Sequence, residues 1–264
     1  MQTYILIAKS VWDQKFAYRL NFILWRVRNV IQFLATYYLW FSVVPVNGSI
    51  AGYSQHMMLT YVLGTLLVSA FTLTTALGDV GPEIQNGDLS NSLIRPLNYF
   101  MYWMAKDAGD KAANLFFSVI EIALIILLLR PPFYWQTNPW YLLASVICIL
   151  LAIVMNFLIN MILGFIAFWS PEIWAPRFLT MIIIQFLGGS LFPLDIFPKI
   201  MVQIFQVLPF QYLVYFPLKV YLGQIPLMQI LIGFVTMIVW IGIMWISCQM
   251  IWRKGLYVYS AEGR

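Results

Sequence analysis

Apolar runs long enough to cross a bilayer recur along the chain, at about 22–44, 55–77, 112–129, 140–168, 178–192 and 228–252, with Pro, Gly and charged residues gathered between them. A helix of roughly 20 apolar residues spans the ~30 Å hydrocarbon core, so the repetition predicts an all-α integral membrane protein with six transmembrane helices. Hydrophobic residues are 62% of the sequence and charged residues 9%, far below the ~25% charged of ordinary soluble domains. What remains between the runs is too little for a soluble domain, and residues 1–264 read as a single transmembrane domain. The fourth run is longer than a bilayer requires and is expected to tilt or protrude; the fifth is short.

The net charge of +5 does not indicate nucleic-acid binding, because the basic residues sit at the ends of the apolar runs. With the amino terminus in the cytosol, Lys9, Lys15, Arg19, Arg26, Arg28, Arg95, Lys106, Lys111, Arg177, Arg253, Lys254 and Arg264 fall inside and Arg130, Lys199 and Lys219 outside. That asymmetry predicts a multi-pass plasma membrane protein with both termini cytoplasmic. The opening residues lack the compact apolar core and small-residue cleavage site of a signal peptide. Ile5, Ala8, Trp12, Phe16 and Leu20 recur at helical spacing with Lys9, Asp13 and Arg19 turned away, which predicts an interfacial elbow helix over 1–21. Arg26 and Arg28 are expected to snorkel to the headgroups from the start of the first span. Cys148 and Cys248 lie within apolar runs, where a thiol packs as a small hydrophobe. His56 has no neighbouring Cys or carboxylate with which to form a metal site.

Residues 78–111 are the longest stretch suited to water. Gly81-Pro82 reads as a helix start, with proline where no amide bond is lost and Glu83 at the positive end of the dipole. Asn86-Gly87-Asp88 breaks that helix. Asp88 or Ser90 then caps a second short helix presenting Leu89 and Leu93, which Pro96 ends. After Asn98 the pattern is helical again, with Met101, Ala105, Ala108 and Ala112 on one face and Lys106 to Asp110 and Asp107 to Lys111 as pairs four apart. The third span is therefore expected to extend well beyond the membrane.

Here the chain resembles the membrane subunits of type 2 ATP-binding cassette (ABC) exporters. The residues that carry the likeness are Gly87, Asp88, Leu89, Leu93, Ile94, Arg95, Pro96 and Leu97; then Gly189 to Leu194, Phe197-Pro198 and Leu208-Pro209-Phe210; and finally Arg253-Lys254-Gly255-Leu256 with Tyr259, Ser260, Ala261 and Gly263. The resemblance implies a permease that pairs with a second permease subunit, identical or related, and works by alternating access in a bacterial inner membrane. It also implies a cytoplasmic coupling helix in 78–111, a re-entrant outer region at 193–227 and a cytoplasmic tail at 253–264. No Gly-rich loop ending in Gly-Lys-Ser/Thr is present. The resemblance accordingly implies two copies of a separate ATPase subunit that bind ATP and Mg, with no cofactor on this chain. Its loop residues Gly81, Pro82, Glu83, Gly87, Asp88, Leu89, Leu93, Arg95 and Pro96 become candidates for ATPase coupling. Glu83 and Asp88 are expected to make polar contacts, and Leu89 and Leu93 to fill a surface cleft.

Other candidates lie inside the apolar runs. Glu121 falls midway along the third, where an unpaired carboxylate costs several kcal/mol. It is either a proton relay or cation site, or one half of a structural hydrogen bond to a neighbouring helix, the latter favoured by the lack of an evident intramembrane ionisable partner. Ser69, Thr72 and Thr75 in the second run, and Gln185, Gly188 and Ser190 in the fifth, are candidates for the substrate path, although such residues also serve close helix packing. Asn156 and Asn160 share a face expected to tie helices together. Between 193 and 224, Pro198, Pro209 and Pro217 cut the chain into pieces too short to span, which predicts re-entrant helices forming an outer gate, with Asp195 and Lys199 paired at its rim. Two competing functions remain: an intramembrane enzyme acting on lipid through Glu121 or the acids Asp79, Glu83 and Asp88, and a non-transporting membrane assembly protein. Against the enzyme, no metal-ligand cluster and no nucleophile with a nearby base is evident.

Overall fold

A computed structural model describes residues 2–17 and 19–259. Ser260, Ala261, Gly263 and Arg264 of the expected tail lie outside the described residues, as do the side chains of Phe16 and Arg19. The protein is an all-α membrane protein with one small hairpin. Helices α1 (Gln2–Ala17) and α2 (Arg19–Val43) are followed by the two-residue strands β1 (Ser49–Ile50) and β2 (Tyr53–Ser54), then α3 (Gln55–Thr72). Two short helices, α4 (Val80–Gln85) and α5 (Leu89–Leu93), precede α6 (Tyr99–Leu129) and α7 (Pro139–Phe165). The remainder is α8 (Trp174–Leu187), α9 (Lys199–Val207), α10 (Tyr215–Tyr221) and α11 (Leu227–Val258).

Local chemistry sets most of these ends. Asn98 and Asn138 cap α6 and α7, their side-chain oxygens accepting from the amides of Met101 and Trp140 at 3.0 Å each, and Ser54 accepts from Met57 at the start of α3. Gly87 separates α4 from α5 with a φ of 82°, open to glycine at no steric cost. In the hairpin, Ala51 and Gly52 both have positive φ, the requirement of a type I′ turn. Helix α4 begins at Val80, which puts Pro82 third and still within the first turn, where its missing amide is not needed.

Among the described residues, three segments are long and apolar enough to cross a membrane, namely Tyr99–Leu129, Pro139–Phe168 and Leu227–Val258; α3 with Leu77–Gln85 makes a fourth, bent by 51°. Two of the six expected spans differ. Helix α2 has the length, 25 residues or ~37 Å, but carries Arg26 within it. Helix α8 has 14 residues and reaches only ~21 Å, after which the chain breaks up into α9, α10 and short 3-10 turns.

Helix α7 is the hub, packing against α3, α10 and α11. Its buried face runs through Ser145, Cys148, Ala152, Met155, Asn156 and Ile159 at three- and four-residue spacing, with small residues where neighbours come close. Glycines on other helices do the same work. A Cβ on Gly233 of α11 would lie 2.0 Å from the Phe216 ring, and one on Gly109 of α6 would lie 2.3 Å from the carbonyl oxygen of Ala8 in α1. Helix α1 thus lies against α6, with Val11 buried and Trp12 beside Phe116, while Ile5 is exposed and Leu20, already in α2, is exposed too.

The face of α6 that carries Met101, Ala105, Ala108 and Ala112 is not its buried one. Met101, Ala108 and Ala112 are exposed, and Tyr99, Trp103, Asp107 and Lys111 point inward. Asp107 and Lys111 pair as expected, at 2.8 Å. Lys106 and Asp110 do not: Asp110 binds Lys15 of α1 at 2.6 Å, and Lys106 lies over the rings of Tyr102 and Trp103. An aromatic core of Tyr99, Phe100, Phe165, Phe168 and Trp252 joins α6, α7 and α11 at this end.

Candidate functional site

The segment between α3 and α6 forms a knuckle whose residues divide by burial. Leu89 is fully buried in the chain's own core, which removes it from any outside cleft. Gly81 and Gly87 are also buried, and a Cβ on Gly81 would meet Ile173 Cδ1 at 1.9 Å. Glu83 is engaged internally: the Ser92 hydroxyl donates to Oε1 and the Tyr99 phenol to Oε2 at 2.9 Å. The outward face consists of Pro82, Asn86, Asp88, Asn91, Leu93, Ile94, Arg95 and Pro96. Leu93 is 44% and Ile94 82% exposed, a large apolar pair on a polar loop.

The knuckle is held from several sides. Gln85 donates to the carbonyls of Ser170 and Pro171 beyond α7. Tyr259, just past α11, donates its phenol to the Gly87 carbonyl at 2.7 Å and accepts from the Ser90 amide at 3.2 Å, closing the turn between α4 and α5. Sequence reasoning did not connect Tyr259 to this loop, 169 residues away from Ser90.

A second polar system runs along α6. Asp110, Asn114, Ser118 and Glu121 fall on one face, and Arg26 of α2 spans the last three. Its Nε and Nη2 donate to the two Glu121 oxygens at 2.6 and 2.5 Å, Nη2 also donates to Ser118 at 2.9 Å, and Nη1 reaches Asn114 at 3.5 Å. Glu121 therefore has an ionisable partner after all, and Arg26 is buried between helices instead of snorkelling. A guanidinium keeps its proton in proteins, so the pair is a neutralised, fully bonded strut. Glu121 is thus bonded to a neighbouring helix through Arg26.

At the other end of α3, Tyr53 donates to Asp195 Oδ2 at 2.8 Å. Asp195 pairs with Lys219 of α10, not with Lys199, because the 3-10 turn at Leu194–Ile196 faces α10. Lys219 also donates to the Tyr215 phenol at 2.7 Å. Tyr61 donates to the Gly189 carbonyl at 2.5 Å, and Gly189, with a φ of 75°, leaves room for Tyr61 and Tyr215 that a Cβ would fill. Burial and Asp195 push the Tyr53 phenol well above its ordinary pKa, so it stays a donor.

Three of the six candidate path residues are engaged with backbone groups. Thr72 donates to Val68 at 2.8 Å, Thr75 accepts from the Leu77 amide at 3.1 Å, and the Gly188 carbonyl accepts from the Tyr215 amide at 2.9 Å. Ser69 and Gln185 are half-buried, and the Ser190 hydroxyl is buried with no partner among the described residues. No hydrogen bond among the described residues joins the α3 set to the α8 set. Asn160 donates to Asn156 on its own helix at 2.9 Å to the carbonyl and 3.2 Å to the side chain, so the two do not tie helices to one another.

The family model described as ABC-2 family transporter protein matches residues 30–263. The chain belongs to the ABC-2 transporter family. No curated protein matches it. As an ABC-2 type permease it is a multi-pass transport component of a membrane, and the family implies partnership with an ABC ATPase. The match takes in the knuckle, the Tyr53 to Lys219 cluster and Tyr259, and begins after Arg26.

Proposed function

We propose that the protein is the permease subunit of an ATP-driven exporter, with six membrane crossings in which α2 is the first and α8 with its broken continuation the fifth. Helix α1 is the elbow in the cytosolic interface, both termini are cytoplasmic, and the membrane is a bacterial inner membrane. Two permease subunits enclose a path bordered by Ser69, Thr72, Thr75, Gln185, Gly188 and Ser190, and two ATPase subunits drive alternating access.

The observation that carries this reading is the exposed Leu93 and Ile94 pair on a knuckle whose other elements are anchored inward. A loop that only linked two spans has no need of such a pair, whereas apolar residues rimmed by Asp88 and Arg95 suit the anchored half of a protein interface. In this arrangement Asp88, Leu93, Ile94, Arg95 and Pro96 meet the ATPase, while Gly81, Glu83, Gly87 and Leu89 hold the knuckle's shape. The test is purification of the permease with its ATPase, followed by ATP hydrolysis in liposomes. The double variant Leu93→Ser/Ile94→Ser is expected to weaken co-purification at least tenfold while leaving the permease folded. Association and hydrolysis equal to wild type would sink the assignment.

A further inference from the structure

Where α3 stops at Thr72 and the chain turns 51° towards α4, residues 73–76 and the 3-10 turn Leu77–Asp79 present backbone groups at the junction. Three of these groups are taken by charged side chains from two other helices. Lys111 of α6 donates to the Thr74 carbonyl, the Ala76 amide donates to Asp107 of α6 at 3.3 Å, and Arg177 of α8 donates to the Leu77 carbonyl at 2.8 Å. The Asp107 and Lys111 side chains are only 4% and 7% exposed.

An i,i+4 ion pair on a solvated helix face contributes little and needs no burial. Burying one is costly unless its remaining hydrogen-bonding capacity is used, and here that capacity goes to the interrupted backbone. The same bend is confined sterically. Gly164 of α7 lies under Val80, where a Cβ would come within 2.6 Å, and Gly81 lies against Ile173. A flexible hinge exchanges its backbone partners as it moves; this one has each of three partners fixed by a separate side chain.

We infer that Asp107, Lys111 and Arg177 are positioning residues that lock the bend, so that displacement of the knuckle turns α3, α6 and α8 together instead of flexing at 73–79. The inference rests on the reading of the knuckle as the ATPase-driven element, and deepens it by naming what carries the movement onward.

Two spin-label pairs test it in the assembled permease and ATPase complex. One pair, on Asn91 and Arg253, reports the knuckle against α11; the other, on His56 and Trp140, reports the far end of α3 against the start of α7. All four positions are exposed, and the native Cys148 and Cys248 are buried. On addition of a non-hydrolysable ATP analogue, both distances are expected to shift in the wild type. In Arg177→Gln, and in the charge-neutral double variant Asp107→Asn/Lys111→Met, the first shift is expected to persist and the second to fall by at least half. Should either variant fail to fold, Arg177→Lys, which keeps the charge but shortens the reach to Leu77, is expected to reduce the second shift alone. An undiminished second shift in folded variants overturns the inference. A wild type in which neither pair responds overturns the ATPase-driven reading and this inference with it.

Discussion

The bend after Thr72 and the broken stretch after Leu187 pose one physical problem and solve it differently. Both interrupt a helix, and both must satisfy the backbone that the interruption frees. At the first, charged side chains reach in from α6 and α8 and bond directly to the freed groups. At the second, the freed carbonyls of Gly188 and Gly189 are met by the Tyr215 amide and the Tyr61 phenol, while the charges of Asp195 and Lys219 neutralise one another. One break is braced by charged side chains that bond its backbone directly; the other is knotted by a phenol and an amide, with its charges paired to one another.

The largest effect is expected at the first break. Asp107→Ala strands the Lys111 charge in a buried site and should cost about 3–5 kcal/mol, and replacing both with apolar residues of similar volume should recover most of it. Thermal unfolding of the purified protein checks this; a single variant no worse than the double would break the contrast between braced and knotted. Next is the strut between α2 and α6. Glu121→Ala should cost about 3 kcal/mol by leaving Arg26 unpaired, with Arg26→Met/Glu121→Met nearer to wild type, read by the same unfolding measurement.

Gly81→Ala is expected to cost about 2 kcal/mol through overpacking against Ile173 Cδ1. Adding Ile173→Val, which deletes that methyl, should restore stability, and absence of rescue would place the knuckle's packing elsewhere. The smallest effect belongs to the knot. Tyr53→Phe removes one bond to a charged acceptor and should cost about 1.5 kcal/mol. It also has a pH signature. Because folding raises the Tyr53 pKa above its ordinary 10.0, its contribution is present below pH 10 and lost as pH rises beyond. The wild type should therefore lose stability above about pH 10, and Tyr53→Phe should lose less, in unfolding measured across that range.

Helix ends were the part most legible from sequence. Asn98, Gly87 and Pro96 act on the backbone beside them, and α5, α6 and the long α7 fall close to where local rules put them. Ion-pair partners were not legible beyond one helix. Spacing of four residues suggested Lys106 with Asp110 and Asp195 with Lys199, but a buried carboxylate takes the cation that packing delivers, and packing delivered Lys15 and Lys219 from other elements. Arg26 illustrates the same point, since two residues 95 apart meet only after α2 lies beside α6. In the candidate site, the exposed Leu93 and Asp88 were readable from the motif, but Leu89 is buried in the core and Glu83 is turned inward to Ser92 and Tyr99. On α6 Met101, Ala108 and Ala112 are turned outward and the Asp107 to Lys111 pair inward, the reverse of a soluble helix.

The contact between Tyr259 and the Gly87 turn has a consequence for biogenesis. A ribosome makes the knuckle well before Tyr259, so the loop waits for α6 to α11 to be synthesised before these two hydrogen bonds form. Completion of α11 is thereby registered in the knuckle, and a chain truncated before Tyr259 leaves that turn unfinished.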